Sequence, residues 1–569
     1  MMNPNNMSFF QGFTQDILDE IRHHLKLRCY QSDEFICRQG EVGDSMFIIE
    51  SGLVEILIQQ PDSLVLLDRL RRGDILGEMA LLTGEPRTAN AVAAAPTEVM
   101  ELNRNAFAAI IAHYPHVLFN ISQILIQRQK RNHAVLSQHH HRGEAVAIVV
   151  GRKANAVVAA VIAAIQSADP NNTVVIDLTR LLPVTQLSVA NQSITTVFDR
   201  LDRLLANYET VITVVDAHSP DLHLLIRHMD RIELIAALPE ALHLHRKFKG
   251  AVKRFNCILI GDSSLRDRPE DFPDIPVLRT LPVTASPHEI AWLARHLRRK
   301  KVGLALGAGG ARGFAHIGVL SVLEQAGIPI DYIAGSSIGA MVGSFLAMGM
   351  NAATIAEQLK GIWSAETVAE LNVFSQEGHS VGLQTVMKAA AAVTGELTFA
   401  HLGIPLTIMT ADLNTQQAAP MNEGSLAEAL CAGISVPGMV PPYVRGSQRL
   451  VDGIAIVPVP TAAVKNAGAD IIIAVNLLHR DTLTAWPAET PPPPAANPKS
   501  SKTLDPVLET LIMLQLDTSV RHAAEADLVI NPWFPSLSWR DYHLADLIHH
   551  AGQQAAQEQL PGLLNLIRP

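Results

Sequence analysis

At 569 residues the chain is longer than one hydrophobic core usually supports, so its length predicts three or four domains. Its 45 Lys and Arg against 55 Asp and Glu leave a net charge of −10, which argues against a nucleic-acid partner and against tight electrostatic attachment to anionic lipid. The cysteines Cys29, Cys37, Cys257 and Cys431 form no CxxC pair, so they read as reduced thiols of a cytosolic protein, with no disulfide frame and no metal site.

The start, MMNPNNMSFFQGF, lacks the basic and apolar regions of a secretory signal. Up to about residue 103 short apolar runs recur, such as Ser45 to Glu50 and Val54 to Ile58, with Gly40, Gly43, Gly52, Gly73 and Gly84 at turn positions. That pattern predicts a small, mainly β unit, followed by a helical pattern from Asn105 to about Arg131. Ser137 to Arg142 reads as a linker. Its His139, His140 and His141 have only Glu144 nearby as an acidic neighbour, so a solvated tract is the better reading than a metal site.

From 144 to about 298, buried strands alternate with helices: Ala145–Val150, Thr173–Ile176, Thr210–Val215, Ile232–Ala236 and Cys257–Ile260. This is the rhythm of a parallel sheet. Gly151-Arg152-Lys153-Ala154 stands where a nucleotide-binding fold puts its phosphate loop, but neither GxxxxGK[ST] nor GxGxxG is present. The segment reads as a structural or regulatory spacer, and the basic run Arg298 to Lys301 as a solvated junction after it.

A second α/β pattern begins at Lys301, interrupted between about Thr482 and Thr503 by a proline-rich insertion that reads as a surface loop. The strand Val302 to Leu306 leads into Gly307-Ala308-Gly309-Gly310-Ala311-Arg312-Gly313, where backbone N–H groups are free to converge on an anion. The loop fits a dinucleotide site or an oxyanion hole. Next, the strand Asp331 to Ala334 runs into Gly335-Ser336-Ser337-Ile338-Gly339 and a helix. This is GxSxG in its required context, and it explains the apolar stretch Tyr332 to Met350 better than a membrane span does. A glycine loop followed by such an elbow favours the hydrolase over the dinucleotide reading. After Leu450, Val451-Asp452-Gly453-Ile454 delivers a carboxylate into a turn, which suits turn chemistry or catalysis.

Together LGAGGARG, GSSIG, the SVPGMVPP segment at Ser435 to Pro442, and VDG resemble the patatin-like phospholipase family over about residues 301–560. The end segment Ala526 to Pro532, with Trp539-Arg540-Asp541-Tyr542, is similar to the close of such domains. The resemblance implies Ser337 as nucleophile and Asp452 as its base, Gly309 and Gly310 as oxyanion-hole donors, and Gly335 and Gly339 as the glycines of the nucleophile elbow. Arg312 would pair with a substrate phosphate, a helix-surface ion pair being the plain alternative. The chain departs from the family pattern at Ala308, where a glycine is usual, and at Ile454, where Gly or Ala is usual. A dyad asks for a desolvated carboxylate with a raised pKa. The rival is a triad using His479, His522, His543, His549 or His550.

In the β unit, Leu76-Gly77-Glu78-Met79-Ala80-Leu81-Leu82 leads to Pro86-Arg87-Thr88-Ala89, which resembles the phosphate cassette of cyclic-nucleotide-binding domains. That resemblance implies Gly77, Glu78, Arg87 and Thr88 as nucleotide-binding residues, with Glu78 on the ribose 2′-OH and Arg87 on the cyclic phosphate of cAMP or cGMP. The expected architecture is a cyclic-nucleotide-binding-like jelly roll with helices at 1–132, an α/β intermediate domain at 144–298 and a patatin-like α/β hydrolase domain at 301–569. The order resembles bacterial relatives of neuropathy target esterase. It implies a cytoplasmic acyl-ester hydrolase, peripheral on the inner membrane surface, that acts on phospholipid or lysophospholipid. Such a hydrolase requires no cofactor and would answer to a cyclic nucleotide as effector. The alternative is a cyclic-nucleotide sensor whose hydrolase domain is vestigial.

Overall fold

The computed structural model describes residues 21–121, 144–179, 201–248, 255–261, 277–479 and 504–567, apart from short gaps. The histidine tract and the proline-rich insertion lie outside the described residues. The chain divides into two compact units, Met1–Ala294 and Arg295–Pro569.

In the first unit, eight short strands make two four-stranded antiparallel sheets. They are β1 (Lys26–Tyr30), β2 (Phe35–Cys37), β3 (Ser45–Ser51), β4 (Leu53–Gln60), β5 (Ser63–Arg71), β6 (Ile75–Leu76), β7 (Asn90–Ala93) and β8 (Thr97–Asn103). The sheet orders are β1-β8-β3-β6 and β2-β7-β4-β5. Apolar residues from both sheets, among them Phe47, Ile49, Val54, Leu70 and Val99, share one core, so the mainly β unit of the glycine-punctuated pattern is the jelly roll that the resemblance implies. A six-residue helix α1 (Glu78–Thr83) lies between β6 and β7, bounded by the left-handed Gly77 and Gly84.

The unit also holds a six-stranded, wholly parallel sheet in the order β10-β11-β9-β12-β13-β14. Its strands are β9 (Glu144–Val150), β10 (Thr173–Asp177), β11 (Thr210–Asp216), β12 (Arg231–Ala236), β13 (Phe255–Ile260) and β14 (Val277–Leu281). The near-continuous burial of β9, β11 and β12 is that of strands covered on both faces. The sequence pattern does not announce β14, because its short run carries Arg279 and its first three positions are half-buried or exposed, as suits an edge.

The second unit is built on an eight-stranded mixed sheet in the order β19-β20-β17-β16-β15-β21-β22, with β18 also on β17. Its strands are β15 (Val302–Leu306), β16 (Tyr332–Ser336), β17 (Leu406–Asp412), β18 (Gln417–Met421), β19 (Tyr443–Arg445), β20 (Gln448–Asp452), β21 (Ile471–Val475) and β22 (Leu528–Ile530). Strands β15, β16, β17, β21 and β22 run parallel, while β18 and β20 are antiparallel to β17. The principal helices are α2 (Phe314–Gln325), α3 (Ile338–Ala347), α4 (Leu504–Ala523) and α5 (Ala545–Ile567).

Two adjacent parallel strands, β15 and β16, therefore run side by side into the glycine loop and the GxSxG turn. Their bases are tied by Asp331, which accepts from Arg295 at 2.9 and 2.6 Å and from the Val302 amide at 2.9 Å. Such a buried, bidentate pair holds register well, because removing either partner strands a charge. The basic run Arg298 to Lys301 is only in part the solvated junction that the sequence suggested, with Arg299 exposed and Lys300 half-buried. Arg298 and Lys301 are buried, and Lys301 Nζ donates to the Gly468 carbonyl at 2.6 Å. No helix among the described residues is long and apolar enough to cross a membrane.

Candidate active site

The register of the sheet brings the site together. Ser336 lies opposite Met409 across β16 and β17, and Asp452 lies opposite Thr410 across β17 and β20. Ser337 and Asp452 thus emerge at one level of the sheet, separated by β17. Their side chains meet above it, and Ser337 Oγ donates to Asp452 Oδ2 at 2.6 Å.

Ser337 has φ 55° and ψ −123°, a conformation that costs a residue with a side chain about 1–3 kcal/mol. The flanking glycines make it attainable. A Cβ on Gly335 would stand 2.4 Å from the Gly339 carbonyl oxygen, and one on Gly339 would stand 2.2 Å from that of Leu306 on the neighbouring strand. The turn thus packs backbone on backbone. Ser337 is also the N-cap of α3 but makes no side-chain cap bond, which leaves its hydroxyl to Asp452. Helix α3 directs its positive end at the same point. Ser336 is turned away and fully buried, donating to the Val457 carbonyl at 2.5 Å.

Asp452 is 0% exposed. Burial pushes its pKa up from 3.8 to about 7, against the opposing pull of hydrogen bonds from the Ile454 amide and from Ser337. The Ile454 N–H reaches Oδ1 at 2.8 Å, and the Asp452 amide donates to the Ser435 carbonyl at 3.0 Å. Both carboxylate oxygens are therefore held, and no histidine among the described residues bonds to either. Of the triad candidates, the buried His479 instead bonds the Pro532 carbonyl at 3.0 Å.

In the glycine loop the amides divide cleanly. Gly307 N–H bonds Val475 O at 3.1 Å, Ala308 N–H bonds Pro458 O at 2.9 Å, and Ala311 N–H bonds Trp539 O at 2.7 Å. The amides of Gly309 and Gly310 donate to no acceptor among the described residues, and Gly310 has φ 58°. Ala308, which stands where the family pattern has a glycine, offers no amide to an oxyanion, since Pro458 takes its N–H.

Arg312 is also corrected. Its side chain is 5% exposed and donates to the Leu537 carbonyl at 2.6 Å, so it is neither a surface ion pair nor open to a substrate phosphate. Burial lowers its pKa to about 10, with Asp541 nearby opposing the shift. It fastens the loop to the 537–541 segment.

Sequence reasoning missed His316. Its ring is fully buried, and Nε2 donates to the Gly307 carbonyl at 2.7 Å. Burial lowers its pKa to about 4, so it is neutral and shapes the loop without adding charge. The available signal was a lone polar residue within FAHIGVL, an otherwise apolar turn.

The first unit holds the other candidate residues. A cavity of about 400 Å³ is lined by Arg87 together with Glu41, Ser45, Phe47 and others. Arg87 is 6% exposed, and its guanidinium donates to the Gly77 carbonyl at 3.1 Å and to Ser45 Oγ at 3.2 Å. Glu78 is buried and Thr88 is exposed, and neither is on the wall of this cavity. The structure thus joins Arg87 to Gly77 but does not bring all four residues to one surface. No group of three or more His, Cys, Asp or Glu among the described residues has the arrangement of a metal site.

Comparison with known proteins matches residues 304–464 to the patatin-like phospholipase family and residues 27–114 to the cyclic nucleotide-binding domain. An uncharacterized NTE family protein of Mycobacterium tuberculosis is 23% identical over 99% of this chain and 97% of its own length. Neuropathy target esterase sws of Drosophila melanogaster is 25% identical over 79% of this chain, but over only 36% of its own length. Among solved structures, a cyclic nucleotide-binding domain from Methylobacillus flagellatus covers 24% of this chain and 80% of its own, at 24% identity and a TM-score of 0.22.

The elbow's dependence on backbone contact is testable. Gly339→Ala forces a methyl into the Leu306 carbonyl and should destabilise the second unit by about 2–3 kcal/mol, lowering its melting temperature by roughly 5–10 °C in calorimetry. An unchanged melting curve would mean that the turn tolerates a side chain there.

Proposed function

We propose that this lipid ester hydrolase, a patatin-like phospholipase domain carried with a cyclic nucleotide-binding domain, works through a Ser337–Asp452 dyad on phospholipids or lysophospholipids. The observation that carries the reading is the 2.6 Å hydrogen bond from Ser337 Oγ to a carboxylate with no solvent exposure.

As Ser337 Oγ attacks the ester carbon, Asp452 takes its proton. The developing oxyanion falls to the free amides of Gly309 and Gly310, at the positive end of α3. Collapse breaks the bond to the alcohol, which leaves with the proton held on Asp452. Water then attacks the acyl-serine with Asp452 taking its proton; the acyl–Oγ bond breaks, that proton returns to Ser337 Oγ, and the fatty acid departs. A base that holds its proton until about pH 7 is matched to this work near neutrality. The vestigial-hydrolase alternative loses ground because the nucleophile, the base and both free amides are all present.

The direction of the pH dependence follows from Asp452. Its raised pKa means that the base form is scarce below about 7, so kcat/KM should fall tenfold per pH unit on the acid side and level off above neutrality. For stability the sign is opposite to that of a salt-bridged aspartate. The folded state binds the proton more tightly than the unfolded chain does, so the burial penalty is absent below about pH 4 and complete above about 7. Ser337→Ala and Asp452→Asn should each remove ester hydrolysis by at least 10³-fold, while Asp452→Asn melts no lower than wild type at pH 8. Substantial hydrolysis by either variant would refute the dyad.

A cyclic nucleotide fits the first unit as effector, with Arg87 supplying charge to the cyclic phosphate. Among the described residues the guanidinium donates to two neutral oxygens and lies 5.6 Å from the Phe47 ring, and an anion can displace those oxygens. Titration calorimetry of the full chain with cAMP and with cGMP should show saturable binding of one of them, lost in Arg87→Ala. Absence of heat with both would make the unit a ligand-free module.

A further inference from the structure

The two free amides of the glycine loop lie on peptide planes whose neighbours are tied on either side. The plane from Gly307 to Ala308 is held at both ends, its N–H by the Pro458 carbonyl at 2.9 Å and its oxygen by His316 Nε2 at 2.7 Å. The plane from Gly310 to Ala311 is held by the Trp539 carbonyl at 2.7 Å. Between them lie the planes that carry the Gly309 and Gly310 N–H groups. The second of these is steadied through its oxygen, since Gly309 O accepts the Arg312 N–H at 3.2 Å. The Gly309 N–H sits on the plane that directly follows the one His316 holds. A planar peptide bonded at opposite ends resists rotation, which matters most where glycines leave the chain few restraints of its own. Of the ties named here, only the one from His316 is made by a side chain.

His316 is a costly residue at this place. It is 0% exposed at the third position of α2, between Ala315 and Ile317, which are fully buried as well. Its Nε2 faces a carbonyl, which can only accept, so the ring proton is on Nε2 and Nδ1 is left as an acceptor. Nδ1 is buried and meets no donor among the described residues. Burying an acceptor without a donor is unfavourable, and an apolar side chain would avoid that penalty. What the imidazole supplies in return is the bond to Gly307. Burial also keeps the ring neutral at working pH, so it brings no charge to the site.

We propose that His316 is a positioning residue for ester hydrolysis: by holding the Gly307–Ala308 peptide, it aims the Gly309 N–H at the developing oxyanion. This rests on the dyad reading above. Fully buried, His316 touches no reacting atom and moves no proton. Its influence falls on the step in which negative charge gathers on the ester oxygen, so it acts on the transition state more than on the bound substrate.

The bond can be removed at constant side-chain size. Gln and Met are alike in length and volume, and only Gln carries an N–H able to reach the Gly307 carbonyl, so loss of ring packing is common to His316→Gln and His316→Met. On the p-nitrophenyl ester of a medium-chain fatty acid, kcat for His316→Met should lie about 10- to 100-fold below that for His316→Gln, with KM values within about threefold. A trifluoromethyl ketone with the same acyl chain, which Ser337 converts to a bound oxyanion, should lose affinity for His316→Met by a similar factor. His316→Gln should keep the wild-type pH profile; a changed profile would give His316 a proton to transfer and overturn the positioning role. Equal kcat in the two variants, or a difference confined to KM, would overturn it too. So would loss of folding in His316→Met, alone or with His316→Gln, which would make the bond purely structural. A wild type that cleaves no ester brings down the hydrolase reading and this inference with it. A wild type that cleaves the ester, with two variants that match each other, brings down this inference alone.

Discussion

A carboxylate with no access to water is unstable unless protein groups take the place of its solvent, and the second unit is arranged around one such group. Asp452 is fully buried, and its two oxygens are held by Ser337 Oγ and the Ile454 amide. Two neutral donors are too few to offset burial, so the group retains proton affinity near neutrality. That residual affinity is what the proposed dyad asks of a base for serine. The strand register, the backbone-on-backbone elbow and the Ser435 carbonyl under the Asp452 amide all serve to hold this unfavourable group against Ser337. The same burial lowers stability at neutral pH, where the carboxylate is charged in the unfolded chain.

The two departures from the family's sequence pattern meet in space. Ala308, in place of the usual loop glycine, and Ile454, in place of a small residue after Asp452-Gly453, share one apolar cluster with Leu478 and with Leu516 of α4. The methyl of Ala308 and the branched chain of Ile454 thus fill a common volume beside the site. The main-chain roles survive, since Ile454 still donates to Asp452 and the loop amides used for the proposed oxyanion hole belong to Gly309 and Gly310. What the two residues add is packing between the loop, the aspartate turn and α4.

Much of this was legible in the residues because the chemistry demands local patterns. Gly335, Ser337 and Gly339 announce a strand-to-helix turn without needing a third dimension, and apolar runs such as Ala145–Val150 announce buried parallel strands. The parts that were not legible depend on distant carbonyls. Nothing near Arg312 in sequence reveals the Leu537 carbonyl, 225 residues away, so its charge looked available to a phosphate. The basic run at 298–301 looked solvated because the Gly468 carbonyl and Asp470, which receive Lys301, come late in the chain. Sequence patterns report what a residue offers; only the fold reports what accepts it.

The central claim is that Ser337 is activated by Asp452, and the reaction of the intact chain with a fluorophosphonate, read by mass spectrometry of its peptides, tests it most directly. The account predicts one adduct, on Ser337, forming rapidly at pH 8, at least tenfold more slowly at pH 5.5, and not at all in Asp452→Asn. A folded protein that takes no label, or labelling of Ser337 that is indifferent to both pH and Asp452, would contradict it.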